Sequence, residues 1–290
     1  MKRMSFVYIV LASILWGTSG IFVHYLAPFG LTSLHMTFIR SVVAFLSLFL
    51  YTFIFDRKLF QASAKEIILF SLGGVSFFGT ASCYFYSMQL TSISTAVVLM
   101  YTAPVFVMIY SVLFLNEKLT KIKVISMILM IVGCALVSGV IGGLKFDVVG
   151  ILFGFLSGIL YSAYNIITKI NMINKSNPVS ANFYGFLAAM LVSMFVCNPG
   201  EIPAIAMQKP VFILPVMIGL GLVTCIFPYF LYTLALRVIP AGTASSLGII
   251  EPMSASLFSV ILFKEELSVA SLTGIVLILA AVYLLNKNEE

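Results

Sequence analysis

Residues 90–119 read LTSISTAVVLMYTAPVFVMIYSVLFLNEKL, and residues 238–267 read VIPAGTASSLGIIEPMSASLFSVILFKEEL. Each stretch opens on small residues, runs apolar over about one bilayer thickness, meets a proline near its middle and closes on a Glu-containing polar turn. At an offset of 148 they share Thr95/Thr243, Ala96/Ala244, Leu99/Leu247, Pro104/Pro252, Ser111/Ser259, Glu117/Glu265 and Leu119/Leu267. The residues before the prolines differ: Ala103 in the first copy, Glu251 in the second. A repeat with one unmatched carboxylate at its centre is the frame for the rest of the chain.

Of the 290 residues, 61% are hydrophobic and 9% charged, with a mean hydropathy of +1.15. That excludes a soluble domain, because so much apolar surface needs lipid as its solvent. Apolar runs bounded by charges or turn residues define ten spans of about 20 residues each. They are Ser5–Tyr25, Ser33–Phe55, Ile67–Met88, Ser94–Leu115, Val124–Val140, Val148–Ile170, Val179–Cys197, Val211–Leu236, Ala241–Phe263 and Ser268–Leu285. The first begins at Ser5 and is long enough to be a span, so no cleavable signal is read there. Helices are expected, since an open strand edge in hydrocarbon leaves backbone groups unsatisfied and the alternation of a barrel is missing. The four cysteines lie singly in apolar runs and read as small hydrophobes; neither metal nor cofactor is expected.

Threading the ten spans with the N-terminus in the cytoplasm puts Lys2, Arg3, Arg57, Lys58, Lys65, Lys118, Lys121, Lys123, Lys169, Lys175, Arg237 and Lys287 inside. Only Lys145, Lys209 and Lys264 fall outside, and Arg40 lies within a span. Both termini are therefore expected in the cytoplasm. The formal charge of +6 is spread over loops, which reads as an orientation signal and not as a nucleic-acid surface. Further pairs at the 148 offset (Tyr84/Tyr232, Leu129/Leu277) extend the repeat, and at an offset of 145 the first span resembles the sixth, with Trp16 opposite Tyr161. Five spans per half is an odd number, so the second copy enters the membrane the other way up. The fold class expected is an all-α membrane protein of ten transmembrane helices in two inverted five-helix repeats, residues 1–143 and 144–290.

The passages YFYSMQLTSISTAVVLMYTAPVFVMIYSVLFLNEKLTKIKVISMILMIVG and YFLYTLALRVIPAGTASSLGIIEPMSASLFSVILFKEELSVASLTGIVLILA resemble the EamA repeat of the drug/metabolite transporter superfamily. ILWGTSGIF and FIRSVVAF are similar to that family's first and second helices. The resemblance implies a carrier of small metabolites, commonly an exporter, in the cell membrane, here a bacterial inner membrane. It does not imply a substrate.

Glu251 falls about ten residues into the ninth span, near the midplane, where a carboxylate is costly and needs a cavity or a partner. It reads as a substrate contact or proton-coupling group, or else as a structural carboxylate serving a helix break. Pro104 and Pro252 each remove a backbone hydrogen bond and mark helix breaks. Arg40, roughly a third of the way in from the outer face, needs an anion, carbonyls or water; a helix brace and a pairing with Glu251 are the readings. Trp16, Tyr84, Tyr86, Tyr101, Tyr161, Tyr164, Tyr229 and Tyr232 suit a pocket that grips an organic solute, or ordinary helix packing. Asn165, and less so Gln89, add amide capacity. Trp16, Arg40, Tyr84, Tyr101, Tyr161, Asn165, Tyr232 and Glu251 form the expected substrate site. Tyr8, Tyr25 and Tyr283 read as interfacial aromatics. His24 and His35 read as exposed loop-end residues, Glu117 and Glu265 as interfacial caps or partners of Lys118 and Lys264, and Gly150, Gly154 and Gly158 as a helix-packing ladder.

The fifth and tenth spans carry few polar side chains, so they face lipid or join a homodimer. With no glycine-rich phosphate loop, energy would come from a solute or proton gradient. An intramembrane enzyme lacks its motifs: there is no HExxH, no GxSxG and no acidic pair within the spans. A lipid or polyprenyl-carrier flippase is the alternative carrier reading.

Overall fold

The computed structural model describes residues 2–139, 147–264 and 266–289. Lys145, Glu265 and the expected boundary at 143/144 lie outside these residues. In the first half the helices are α1 (Lys2–Gly17), α2 (Ser19–Leu26), α3 (Ser33–Phe55), α4 (Ala64–Leu90), α5 (Ile93–Met100), α6 (Ala103–Phe114) and α7 (Lys121–Val137). In the second they are α8 (Val148–Ile173), α9 (Pro178–Val196), α10 (Ile202–Ala206), α11 (Pro210–Gly221), α12 (Phe227–Ala235), α13 (Ala241–Leu247), α14 (Ile250–Phe263) and α15 (Val269–Glu289). Among the described residues there is no strand, and nine helical stretches are long and apolar enough to cross a bilayer. The remaining expected span is α7, apolar but 17 residues long where it is described. Large apolar side chains such as Phe55, Phe195, Val211 and Val269 stand on the outside of the bundle. That is the inverse of a soluble protein, and it fits a hydrocarbon surround.

Short polar residues start the long helices by satisfying the first free backbone N–H groups. Ser63 and Glu66 form a reciprocal capping box on α4, and Asp147 accepts from the Gly150 N–H at 2.7 Å on α8. His35 does the same on α3: its Nδ1 accepts from the Thr32 N–H at 3.4 Å while Thr32 Oγ1 accepts from the His35 N–H at 3.2 Å. This corrects the expectation of an exposed histidine. His35 is buried, because capping folds its ring back onto the helix end. His24 is exposed as expected, and stacks on Phe263 at 4.0 Å.

The two halves interlock. The most extensive helix pairings all join one repeat to the other, led by α4 with α8, α7 with α15, α4 with α9, and α3 with α9. Glycines allow these approaches. A Cβ built on Gly74 would lie 1.9 Å from the Gly185 carbonyl oxygen, so α4 and α9 cross backbone to backbone. The α7–α15 crossing is likewise glycine on glycine, with Gly133 against the Gly274 carbonyl and Gly274 against that of Gly133. The fifth and tenth spans thus pack on each other as a peripheral pair. Gly150, Gly154 and Gly158 of α8 face Leu90, Thr91, Leu99 and Thr102, the packing role expected of that ladder.

Candidate substrate site where two broken helices meet

Both copies of the repeated stretch break at the point their prolines mark. In the first, α5 ends at Met100 and α6 begins at Ala103; in the second, α13 ends at Leu247 and α14 begins at Ile250. Pro104 and Pro252 sit in the opening turns of α6 and α14, where a missing N–H costs least. The carbonyls freed by the breaks find partners. Leu99 O accepts from the Thr102 hydroxyl at 2.6 Å. Its counterpart, Leu247 O, accepts from Ser13 of α1 at 3.2 Å. Packing at the breaks is equally matched. Gly17 of α1 fits against Ser254 and the Glu251 carbonyl, and Gly158 of α8 fits against the Leu99 and Met100 carbonyls.

At the centre the breaks touch. The Tyr101 hydroxyl donates to Glu251 Oε2 at 2.8 Å, joining the break of one repeat to that of the other. Tyr101 is 1% exposed, and its ring lies edge-on to Tyr161 at 6.4 Å. Glu251 occupies the first turn of α14, where the helix dipole favours a carboxylate. Tyr161 brings its hydroxyl up to Gly248, and Tyr84, half-buried on α4, lies within electrostatic range of Glu251. Asn165 and Tyr232 satisfy each other: the Tyr232 hydroxyl donates to Asn165 Oδ1, while Asn165 Nδ2 donates to the Tyr161 carbonyl at 2.7 Å.

Arg40 and Glu251 are near enough to feel each other's charge, yet no ion pair joins them among the described residues. The Arg40 guanidinium lies over the Phe77 ring at 4.9 Å, and its Nε has no hydrogen-bond partner among the described residues. Around it the aromatics converge on Tyr229. Its ring meets Trp16 at 5.1 Å, Phe77 at 5.2 Å, Tyr164 at 5.5 Å and Phe186 at 5.6 Å, mostly edge to face. Tyr86 does not join them: it is 48% exposed and stacks on Phe153 of α8, away from the Tyr229 cluster.

Three features were not anticipated. A break at Thr18 separates α1 from α2, where the Thr18 hydroxyl donates to the Leu15 carbonyl at 2.6 Å and tightens the turn. A π turn, Leu222–Ile226, lies just before α12. It accommodates Pro228, whose ring would collide with the Thr224 carbonyl in a regular helix, and it swings Tyr229 and Tyr232 inward. The proline was the available signal. Finally, a small cavity is lined by none of the eight expected site residues. It lies beside Tyr229, has a volume of about 30 Å³ and is lined by Phe77, Tyr164, Asn171, Asn182, Gly185 and Thr233 among others. That is room for about two waters and not for an organic solute.

A model of the EamA-like transporter family matches residues 3–139 and again residues 148–287. The chain belongs to the EamA-like transporter family. The EamA-like match covers both halves, so each copy of the broken helix lies in its own family domain. A protein of Archaeoglobus fulgidus named an uncharacterized transporter is 29% identical, covering 94% of this chain and 93% of its own. The uncharacterized transporter YwfM of Bacillus subtilis is 25% identical, covering 94% and 90%. A solved crystal structure superposes with a TM-score of 0.79 at 16% identity, covering 98% of this chain and 96% of that one. At that identity it shows the fold alone. The chain is therefore a multi-pass membrane transporter of this family.

Proposed function

We propose that this transporter is an exporter of small organic metabolites of the amino-acid kind, working by alternating access about a site between its two repeats. The observation that carries the reading is the contact of two oppositely inserted broken helices at Tyr101 and Glu251. Discontinuous helices place backbone polar groups and a carboxylate at mid-membrane, where a carrier binds its solute and coupling ion. The glycine crossings bring the two repeats backbone to backbone, and in this reading they are the surfaces along which one repeat rocks on the other. In this reading Glu251 is the proton-coupling group, both termini are cytoplasmic, as the excess of loop arginines and lysines on that side supports, and the membrane is a bacterial inner membrane. A homodimer would use the outward faces of the α7–α15 pair.

The test is counterflow in proteoliposomes, with labelled L-amino acids against an excess of the same compound inside. Wild type is expected to accelerate exchange of at least one. Glu251→Gln keeps an oxygen for Tyr101 and is expected to fold normally while losing the pH dependence of net transport. A variant with wild-type net transport across pH removes Glu251 from coupling. Failure to exchange any amino acid, with other metabolites carried, removes the substrate class. Comparison of inside-out with right-side-out vesicles under an imposed proton gradient tests the direction.

A further inference from the structure

The small cavity beside Tyr229 sits at the Gly74–Gly185 crossing, toward the end of the bundle where α8 turns into α9. Its polar wall comes from the second repeat. Tyr164, Thr168 and Asn171 follow one another on one face of α8, Asn182 stands on α9 and Thr233 on α12. The first repeat contributes Phe70, Gly73, Gly74 and Phe77 of α4, none with a polar side chain.

The protons of this polar wall are already committed. Thr168 and Thr233 give theirs to the Tyr164 and Tyr229 carbonyls at 2.8 and 2.7 Å. The Asn182 amide donates to the Pro178 carbonyl at 3.0 Å and to Thr233 Oγ1 at 3.4 Å. The Tyr164 hydroxyl lies within hydrogen-bonding reach of the Thr168 and Thr233 hydroxyls, which have no second proton to return. Asn171 Oδ1 is left over. It belongs to a residue 3% exposed and has no donor among the described residues. Leaving a buried amide oxygen without a donor is costly.

The occupant of the cavity must therefore bring protons, and it must be small. A volume of about 30 Å³ holds about two waters, at roughly 10–15 Å³ each. A metal or ammonium cation would find no carboxylate among the lining residues. It would also meet the charge of Arg40, whose guanidinium stands over the Phe77 ring in the same wall. A second unpaired positive charge buried there is unfavourable. An apolar occupant would leave Asn171 unsatisfied.

We infer that the cavity binds ordered water, one molecule donating to Asn171 Oδ1, and that this water forms a wet seam between α4 and the second repeat. Water is donor and acceptor at once, so it serves Asn171 and the hydroxyls of the wall together. Because α4 presents no polar side chain to the water, it can shift across the seam without breaking a side-chain hydrogen bond there. The seam shares no residue with the Tyr101–Glu251 contact and does not depend on what the protein carries.

The experiment is X-ray radiolytic footprinting of the purified wild-type protein in detergent. Ionised bound waters oxidise the side chains beside them, and peptide mass spectrometry reads the positions. Phe70 and Phe77 line the cavity at 2% and 6% exposure; Phe6 and Phe183, at 7% and 5%, do not line it. Phe70 and Phe77 are expected to oxidise several-fold faster than Phe6 and Phe183, and equal rates overturn the inference. Asn171→Leu keeps the size of the side chain and removes its polar atoms. With water bound, the variant loses hydrogen bonds it cannot replace and is expected to melt about 2–6 °C lower. In a dry cavity the same change removes an unpaired oxygen, so an unchanged or higher melting temperature also overturns the inference. Melting of the wild type in sodium, potassium or ammonium chloride is expected to match that in choline chloride at equal ionic strength. A rise specific to one of the small cations would put that cation where water is assigned, and the inference would fail. Neither the footprint nor the salt series depends on a variant folding.

Discussion

Tyr101→Phe removes one hydroxyl and leaves the ring, so it isolates the bond that joins the two breaks. Its loss leaves Glu251 without the hydrogen-bond donor it has among the described residues, for which about 1–3 kcal/mol of destabilisation is expected. Thermal unfolding in detergent measures it. In the Glu251→Gln background the same change should cost less, because a neutral amide tolerates an unpaired oxygen better than a carboxylate does; equal costs in both backgrounds would mean that the bond is not charge-assisted. Tyr101 and Glu251 were each visible in the sequence as polar groups in costly places. Their pairing was not, because the two positions are not equivalent in the repeat: Tyr101 corresponds to Ile249, and Glu251 to Ala103. Nor was the mutual satisfaction of Asn165 and Tyr232, which turns two expected substrate contacts into partners of each other. Tyr229, the centre of the ring cluster, was one tyrosine among eight aromatic candidates until a π turn aimed it.

The glycines at the helix breaks set how closely the repeats approach. Gly158→Val would drive branched carbon into the Leu99 and Met100 carbonyls, which a Cβ alone would meet at 2.9 and 3.2 Å. Backbone on both sides cannot yield cheaply, so destabilisation of about 1–3 kcal/mol is expected, together with impaired transport. Gly20→Val serves as the control, because a Cβ there meets nothing within 4 Å. Equal effects at the two sites would remove the packing argument. At this scale the prolines announced two of the breaks through their missing N–H groups. The break at Thr18 has no proline; hydroxyl back-bonding makes it, and a Gly-Thr-Ser-Gly run is a weaker signal for that. Glu117 shows a similar limit. Its cap is on α13, whose Ala241 N–H donates to it at 2.7 Å, because Pro240 before that helix has no side-chain acceptor to offer.

Inverted repeats could be two separate bundles side by side, and an offset in the sequence cannot exclude it. The structure does, since every leading helix pairing crosses between the copies. α4 has α8 and α9 as its main neighbours, and α1 packs on α12 and α14. Periodicity shows which residues are apolar and not which helix they meet, so this interlocking was illegible beforehand. It puts the candidate site, the Gly74–Gly185 crossing and the small cavity beside Tyr229 on surfaces shared by both copies.

The cap that Glu117 places on α13 carries that sharing down to single residues, since a carboxylate of the first copy completes a helix of the second. Each copy, taken by itself, is a fragment. Cutting the gene between the two family domains, so that residues 1–139 and 147–290 are made as separate polypeptides, is expected to yield chains that are degraded when expressed singly. Expressed together, they should protect each other and co-purify through a tag on either one. Stable accumulation of a lone half would show a folding unit smaller than the whole. An ancestor of this architecture with only one copy of the repeat would, by the same reasoning, have needed a second molecule inserted upside down before it could fold at all.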